Sequence, residues 1–204
     1  MQGIFFAILI FSIILHEVSH GYIAEKLGDK TARLAGRITL NPLVHIDMLG
    51  SIILPVIAIL APGGFLFGWA KPVPYNPYNF TKMRRLGEAI VAGAGPATNF
   101  ALALMFALFA RLWGDPTFTS ICFIGVLANL WLGCLNLIPI PPLDGSKVLG
   151  ALLPSGLSYR YEMWRARMEH NPFLGFGIII ALVLLFGGTV SSFFFNVAHL
   201  LIGA

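Results

Sequence analysis

Residues 10–27 read IFSIILHEVSHGYIAEKL, an apolar run into which His16, Glu17, Ser19 and His20 are set without breaking its helical pattern. The apolar residues continue through Tyr22, Ile23, Ala24 and Leu27, and Gly28-Asp29 closes the run, so the spacing predicts a helix from about Gly3 to Leu27. Residues four apart share one face of a helix. The His16-Glu17-Val18-Ser19-His20 pattern (HExxH) therefore brings two imidazoles together as a shared zinc requires, with Glu17 beside them to take a proton from a bound water. The bland alternative is a polar helix interface, hydrogen-bonded to its neighbours. Against it stands the cost of placing two histidines and a glutamate in hydrocarbon, where such residues usually serve a function. A catalytic zinc normally keeps three protein ligands and an open water position, so this reading lacks one ligand.

Outward from that helix the composition supports a membrane protein. Of 204 residues, 57% are hydrophobic and 11% charged, against about 25% charged in an average soluble domain. Stretches 1–16, 48–70, 89–110, 116–143 and 171–204 hold no Asp, Glu, Lys or Arg. Four of them exceed the roughly 18 residues that suggest a bilayer-spanning helix, and the first reaches that length only through His16. The formal charge of +4 arises from basic residues lying between apolar segments, which points to membrane topology rather than nucleic acid. No Lys or Arg precedes His16, so the first segment lacks the basic start of a secretory signal and is expected to be retained. Cys122 and Cys134 share one apolar segment. On a helix they lie roughly 18 Å apart and cannot bridge.

Further along, Gly36 to Leu40 (GRITL) alternates like a short strand ended by Asn41-Pro42. Met48 to Phe67 is apolar but broken at Pro55 and Pro62-Gly63-Gly64, and Gly68 to Asn79 reads as extended chain because of its prolines. A second short strand or a re-entrant loop fits. Arg84 to Arg111 predicts a helix in which Gly93, Ala97 and Ala101 at four-residue spacing admit a close neighbour. Phe118 to Leu137 predicts another, stopped by Pro139, Pro141 and Pro142. In the mixed stretch after Ser146, Arg160, Arg165 and Arg167 with Tyr159, Tyr161 and Trp164 suggest an amphipathic surface helix. Phe173 to Ala204 is apolar, interrupted at Gly187-Gly188, and is expected to hold one span and then a second apolar segment. The expectation is an all-α polytopic protein of about four to six transmembrane helices, with a re-entrant segment and short membrane-associated strands. It forms one domain over residues 1–204, its core at about 3–150 and its C-terminal membrane segments at about 173–204.

Charge separates two layouts. If every apolar segment spans, the basic residues divide eight against five across the membrane. If Met48 to Phe67 dips in and returns, twelve of the thirteen share one face and only Arg111 lies opposite. The positive-inside rule favours the second layout, with the twelve in the cytoplasm. It also runs the first helix and the Phe118 helix in the same direction. That brings Asp144, in the stretch NLIPIPPLDG over 136–145, to the inner half of the first helix and makes it the candidate third ligand. Gly145 is expected to let the backbone turn beside the acid. Taken alone, Asp144 reads more simply as a helix cap at the membrane edge.

With HEVSH, GRITLNPLVHID, GWAKPVPYN, AGAGPATN and NLIPIPPLDG in order over about residues 10 to 150, the chain resembles the site-2 protease family of intramembrane zinc metalloproteases. The likeness is to small prokaryotic members without PDZ or CBS domains. The resemblance implies that His16, His20 and Asp144 hold one zinc ion and that Glu17 is the general base. It implies that Asn136 orients substrate or steadies an oxyanion, where the bland reading is a cap on an unwound helix end. Asn99 matches a family position, although packing against Gly95 and neighbouring helices explains it equally well. His45 could approach the site, but a loop histidine bonded to Asp47 is the preferred reading. The implied partners are a transmembrane protein or membrane-peptide substrate and the lipid bilayer, with no nucleic acid. The implied location is a prokaryotic plasma membrane, multi-pass, with the site toward the cytoplasm. The two strand candidates, Arg37 to Leu40 and Lys71 to Tyr75, could receive an unwound substrate by strand addition. The rival from another class is a zinc-binding transporter or channel, which would need polar groups toward both faces.

Overall fold

The fold is taken from a computed structural model, which describes residues 2–53, 56, 68–83 and 86–203. Seven α-helices are present among them: α1 (Gln2–Leu27), α2 (Thr31–Leu34), α3 (Gly87–Trp113), α4 (Pro116–Asn136), α5 (Asp144–Leu152), α6 (Ser155–His170) and α7 (Pro172–Ile202). Four are long and apolar enough to cross a membrane: α1, α3, α4 and α7 from Phe173 onward. In hydrocarbon a helix satisfies its own backbone, which is why the charge-free stretches take this form. Short 3₁₀ turns at Pro42–His45 and Pro77–Asn79 and a π turn at Met48–Ile53 punctuate the segment between α1 and α3.

The four long helices alternate in direction along the chain. His20 lies beside Val91 and His16 beside Asn99, so α1 and α3 are antiparallel. Gly114, left-handed at φ 59°, ends α3, and the Asp115 side chain accepts from Phe118 N–H to start α4. Ser12 on α1 meets Asn129 on α4, and His16 meets Asp144 beyond the end of α4, so α1 and α4 run parallel. At the outer end Phe194, Ala198 and Ile202 of α7 pack with Ala103, Ala107 and Ala110 of α3 and with Cys122, Val126 and Leu130 of α4. Lipid gives helices no hydrophobic reason to associate, so small residues that allow close packing decide these contacts.

The basic face is held together by hydrogen bonds. Thr81 N–H and Lys82 N–H both donate to Leu27 O, at 2.9 and 3.3 Å, so the chain leaving α1 and the chain approaching α3 lie on one face. This excludes the layout in which every apolar segment spans, because that layout separates those ends by a membrane thickness. Most of the expected re-entrant stretch lies outside the described residues; Met48–Ile53 forms its first turn.

Four expectations need correction. Neither Arg37 to Leu40 nor Lys71 to Tyr75 is a strand, and no strand occurs among the described residues. The donors that a ladder would use are engaged elsewhere: Lys71 N–H goes to His45 O, Val73 N–H to Glu17 Oε2 and Asn76 N–H to Asp29 Oδ2, while Pro72 and Pro74 have none. Arg37 Nη2 bonds Lys71 O at 2.7 Å, a side chain replacing a partner strand. Second, the last apolar stretch is one helix that passes through Gly187-Gly188. A mid-helix glycine costs about 1 kcal/mol, less than leaving backbone groups unpaired in lipid. Third, the stripe of α3 that faces other helices is Gly95, Asn99, Ala103 and Ala107, whereas Ala97 and Ala101 are exposed. Fourth, of the three arginines expected on a surface helix, Arg165 on α6 turns inward to Glu88 of α3 at 3.0 Å.

Candidate metal centre

The helical repeat places His16 and His20 one turn apart with their rings 4.7 Å centroid to centroid and nearly perpendicular. Each Nδ1 meets an oxygen acceptor: Asn99 Oδ1 at 2.6 Å for His16, Val91 O at 2.7 Å for His20. Each Nε2 faces the same carboxylate oxygen, Asp144 Oδ2, at 3.0 Å from His16 and 3.3 Å from His20. All three groups are largely buried, at 6%, 8% and 13% side-chain exposure. Asp144 reaches them from the first turn of α5, after the proline-rich stretch that follows α4. Burial opposes ionisation of this carboxyl, but the His16 and His20 rings outweigh it and hold the group well below the usual carboxylate range.

Two glycines set this geometry by their size. A Cβ on Gly95 would stand 2.5 Å from His16 Nε2 and 2.6 Å from His20 Cε1. One on Gly145 would meet Leu137 O at 2.1 Å. Gly145 is thus required for space, not for the turn expected beside the acid, since its φ is not positive.

Glu17 lies beside the pair, and ligand atoms of His16, Glu17 and His20 all fall within 4.8 Å of one another. Its Oε2 accepts from Val73 N–H at 2.9 Å, which fixes the carboxylate while leaving Oε1 outside that bond. Lys147, one turn beyond Asp144, stands over the Tyr75 ring at 5.0 Å. Burial pushes the ammonium down, but Tyr75 and Asp144 outweigh it and hold Lys147 above its ordinary value. Burial pushes the Tyr75 phenol up.

The donor set fits a zinc ion. With Nδ1 protonated in each neutral imidazole, both Nε2 lone pairs and a carboxylate oxygen converge as three acceptors, an arrangement that calls for a cation between them. Bonds of about 2.0–2.1 Å at tetrahedral angles separate donor atoms by roughly 3.3 Å, close to the 3.0 and 3.3 Å found. Imidazoles whose other nitrogen is held by an oxygen are the usual support for such a centre.

The profile of Peptidase family M50 matches residues 4–123, more than half of the chain. The chain belongs to peptidase family M50. A Bacillus subtilis protein named "Putative zinc metalloprotease YwhC" is 40% identical over 189 residues, which cover 86% of this chain and 77% of that protein. A Mycolicibacterium smegmatis protein named "Putative zinc metalloprotease Rip2" is 33% identical over 204 residues, covering 97% and 73%. No solved structure matches. The M50 match takes in the histidines and Glu17 but stops short of Asp144, whose place beside them is a finding of geometry.

Other expected residues of this M50 chain fall differently. Asn136 ends α4 with one amide hydrogen given to Leu132 O at 3.0 Å, and among the described residues it makes no hydrogen bond to the histidines or Asp144. His45 is not paired with Asp47. Its Nε2 donates to Thr39 O at 2.9 Å, while Asp47 Oδ1 accepts from Gly50 N–H. Asn99 does more than pack, since it holds His16. Asn129 and Ser12, fully buried behind it, were not singled out by sequence; a polar side chain in a charge-free helix was the available signal.

Proposed function

We propose that this zinc metalloprotease is an intramembrane endopeptidase that hydrolyses peptide bonds in or near the transmembrane segments of other proteins. The observation that carries this reading is the convergence of His16, His20 and Asp144 beside Glu17, roughly 10–17 Å along a spanning helix from its inner end. His16 Nε2, His20 Nε2 and Asp144 would hold one zinc ion. Bound there, zinc polarises a peptide carbonyl and lowers the pKa of a water toward about 7.

The chain's own residues do the rest. Glu17 takes the proton of the attacking water and returns it to the leaving amine, with Val73 N–H keeping the carboxylate in place. The second amide hydrogen of Asn136, not used by Leu132, is available to a substrate carbonyl. A substrate helix must unwind to present that carbonyl, since its own backbone bonds shield it.

The enzyme is a multi-pass protein of a prokaryotic plasma membrane in this reading, with the site opening toward the cytoplasm. The shared face of Leu27 and Thr81, rich in Lys and Arg, supports that orientation. Substrates of this kind arise in regulated intramembrane proteolysis and in clearance of membrane peptides.

The test compares zinc content and cleavage of a membrane-peptide substrate in the unmodified chain, Asp144→Ala and Glu17→Gln. The expected outcome is about one zinc in the unmodified chain and clearly less in Asp144→Ala. Glu17→Gln keeps its zinc and loses cleavage by about 10²-fold or more. Equal zinc in the Asp144 variant, or full activity in the Glu17 variant, overturns the assignment.

A further inference from the structure

The polar atoms behind His16 form a hydrogen-bonded chain across three helices, and only one assignment of donors and acceptors satisfies it. Asn129 on α4 has its Nδ2 at 2.9 Å from Gly125 O, one turn earlier, and at 2.9 Å from Ser12 Oγ on α1. A backbone carbonyl only accepts, so the Asn129 nitrogen must face Gly125 and its Oδ1 must face away. That oxygen lies 2.9 Å from the Asn99 amide, which therefore donates through Nδ2 and turns its own oxygen toward His16. Asn99 Oδ1 stands 2.6 Å from His16 Nδ1, and an acceptor there requires the proton on Nδ1. In a neutral imidazole the lone pair is then left on Nε2, the atom that faces Asp144.

We propose that Asn99 and Asn129 are positioning residues that hold His16 in the tautomer able to bind metal through Nε2, and that the Gly125 carbonyl sets the direction of the whole chain. The inference rests on the zinc reading above. The two ligands are served differently: His20 takes its direction from a backbone carbonyl, Val91 O, whereas His16 depends on side chains. Ser12, Asn99 and Asn129 are fully buried, a costly arrangement unless each polar atom is used. Simple adhesion between helices would be served by amides pointing either way. The Gly125 anchor permits one direction only.

Two measurements test this on the full chain in detergent. In zinc-free protein labelled with ¹⁵N-histidine at alkaline pH, the His16 signals, identified by their absence from His16→Gln, are expected to show a protonated Nδ1 and not a proton on Nε2 alone. The reverse pattern overturns the proposal without any variant of the relay. In competition with a chromophoric chelator, Asn99→Leu is expected to bind zinc about 10- to 100-fold more weakly. Asn129→Leu, which touches no ligand, weakens binding by roughly 10-fold because Asn99 is freed to reverse. Asn99→Asp, which still offers Nδ1 an acceptor, is expected to bind zinc more tightly than Asn99→Leu. If the unmodified chain takes up no zinc, the zinc reading fails and this inference with it. If it takes up zinc and the leucine variants match it, only the relay fails.

Discussion

Gly95 is the residue on which the two imidazoles rest, and its lack of a side chain is what lets α3 pass behind them. Gly95→Ala inserts a methyl into their volume, since the neighbours within 2.6 Å are ring atoms of the two histidines and not the ends of flexible chains. Overpacking of this kind costs about 1–3 kcal/mol. Here the expected result is a lowered melting temperature together with reduced zinc content, measured on the same preparation. An alanine variant that retains full zinc and unchanged melting would show that α3 can shift away. At this scale the HExxH residues were legible in the sequence because their spacing is itself the geometry. Asp144 became a candidate through a topology argument and through the family resemblance, since nothing local distinguishes it from a helix cap. Asn129 was not legible: its role depends on facing Asn99 and Ser12 from another helix, which no spacing along α4 encodes.

The element that holds Glu17, the proposed general base, is the irregular segment after Gly68, and Asp29 is its anchor. The fully buried Asp29 carboxylate accepts from Thr31 N–H, Asn76 N–H and Asn79 Nδ2, tying the end of α1 to the segment that carries Val73. Burial raises this carboxyl, but hydrogen bonds from Asn79, Thr31 and Asn76 outweigh it and hold Asp29 below the usual carboxylate range. A depressed carboxyl contributes stability that is present above its unfolded pKa near 3.9 and is lost as pH falls through the lower folded value. Asp29→Asn is therefore expected to lower stability by roughly 1–3 kcal/mol at neutral pH. The gap between variant and parent narrows as thermal unfolding is followed below about pH 4. A gap that stays constant with pH would remove the carboxylate from this role. The sequence suggested strands here because alternation and β-branched residues were read without their partners. Pairing was pre-empted by Glu17, Asp29 and Arg37, and a side chain's claim on a distant backbone amide leaves no periodic trace.

Across the molecule, the bonds from Thr81 and Lys82 to Leu27 place the end of α1 and the chain approaching α3 at one end of the bundle, with the α3–α4 turn at the other. Single cysteines in place of Lys30 and Tyr159 are thus expected to react with a membrane-impermeant thiol reagent from one side. One in place of exposed Trp113 reacts from the other, in a background lacking Cys122 and Cys134. Labelling of positions 30 and 159 from opposite sides would contradict the fold. Four of the five charge-free stretches are long helices among the described residues, within the four to six expected, since hydrocarbon leaves the backbone no alternative to a helix. Which faces meet was not legible, and the small-residue stripe at Gly93 misled because small residues on α3 occur on more than one side. The separation of the metal-site residues has a temporal meaning. His16 must wait for Asp144, 128 residues downstream. At a ribosomal pace of about 5–20 residues per second, the histidine pair spends on the order of ten seconds in the membrane before its carboxylate is made. On the proposed assignment of Asp144 as a zinc ligand, the newborn chain would be unable to cut during that interval, and the order of synthesis itself would protect the membrane into which it is being inserted.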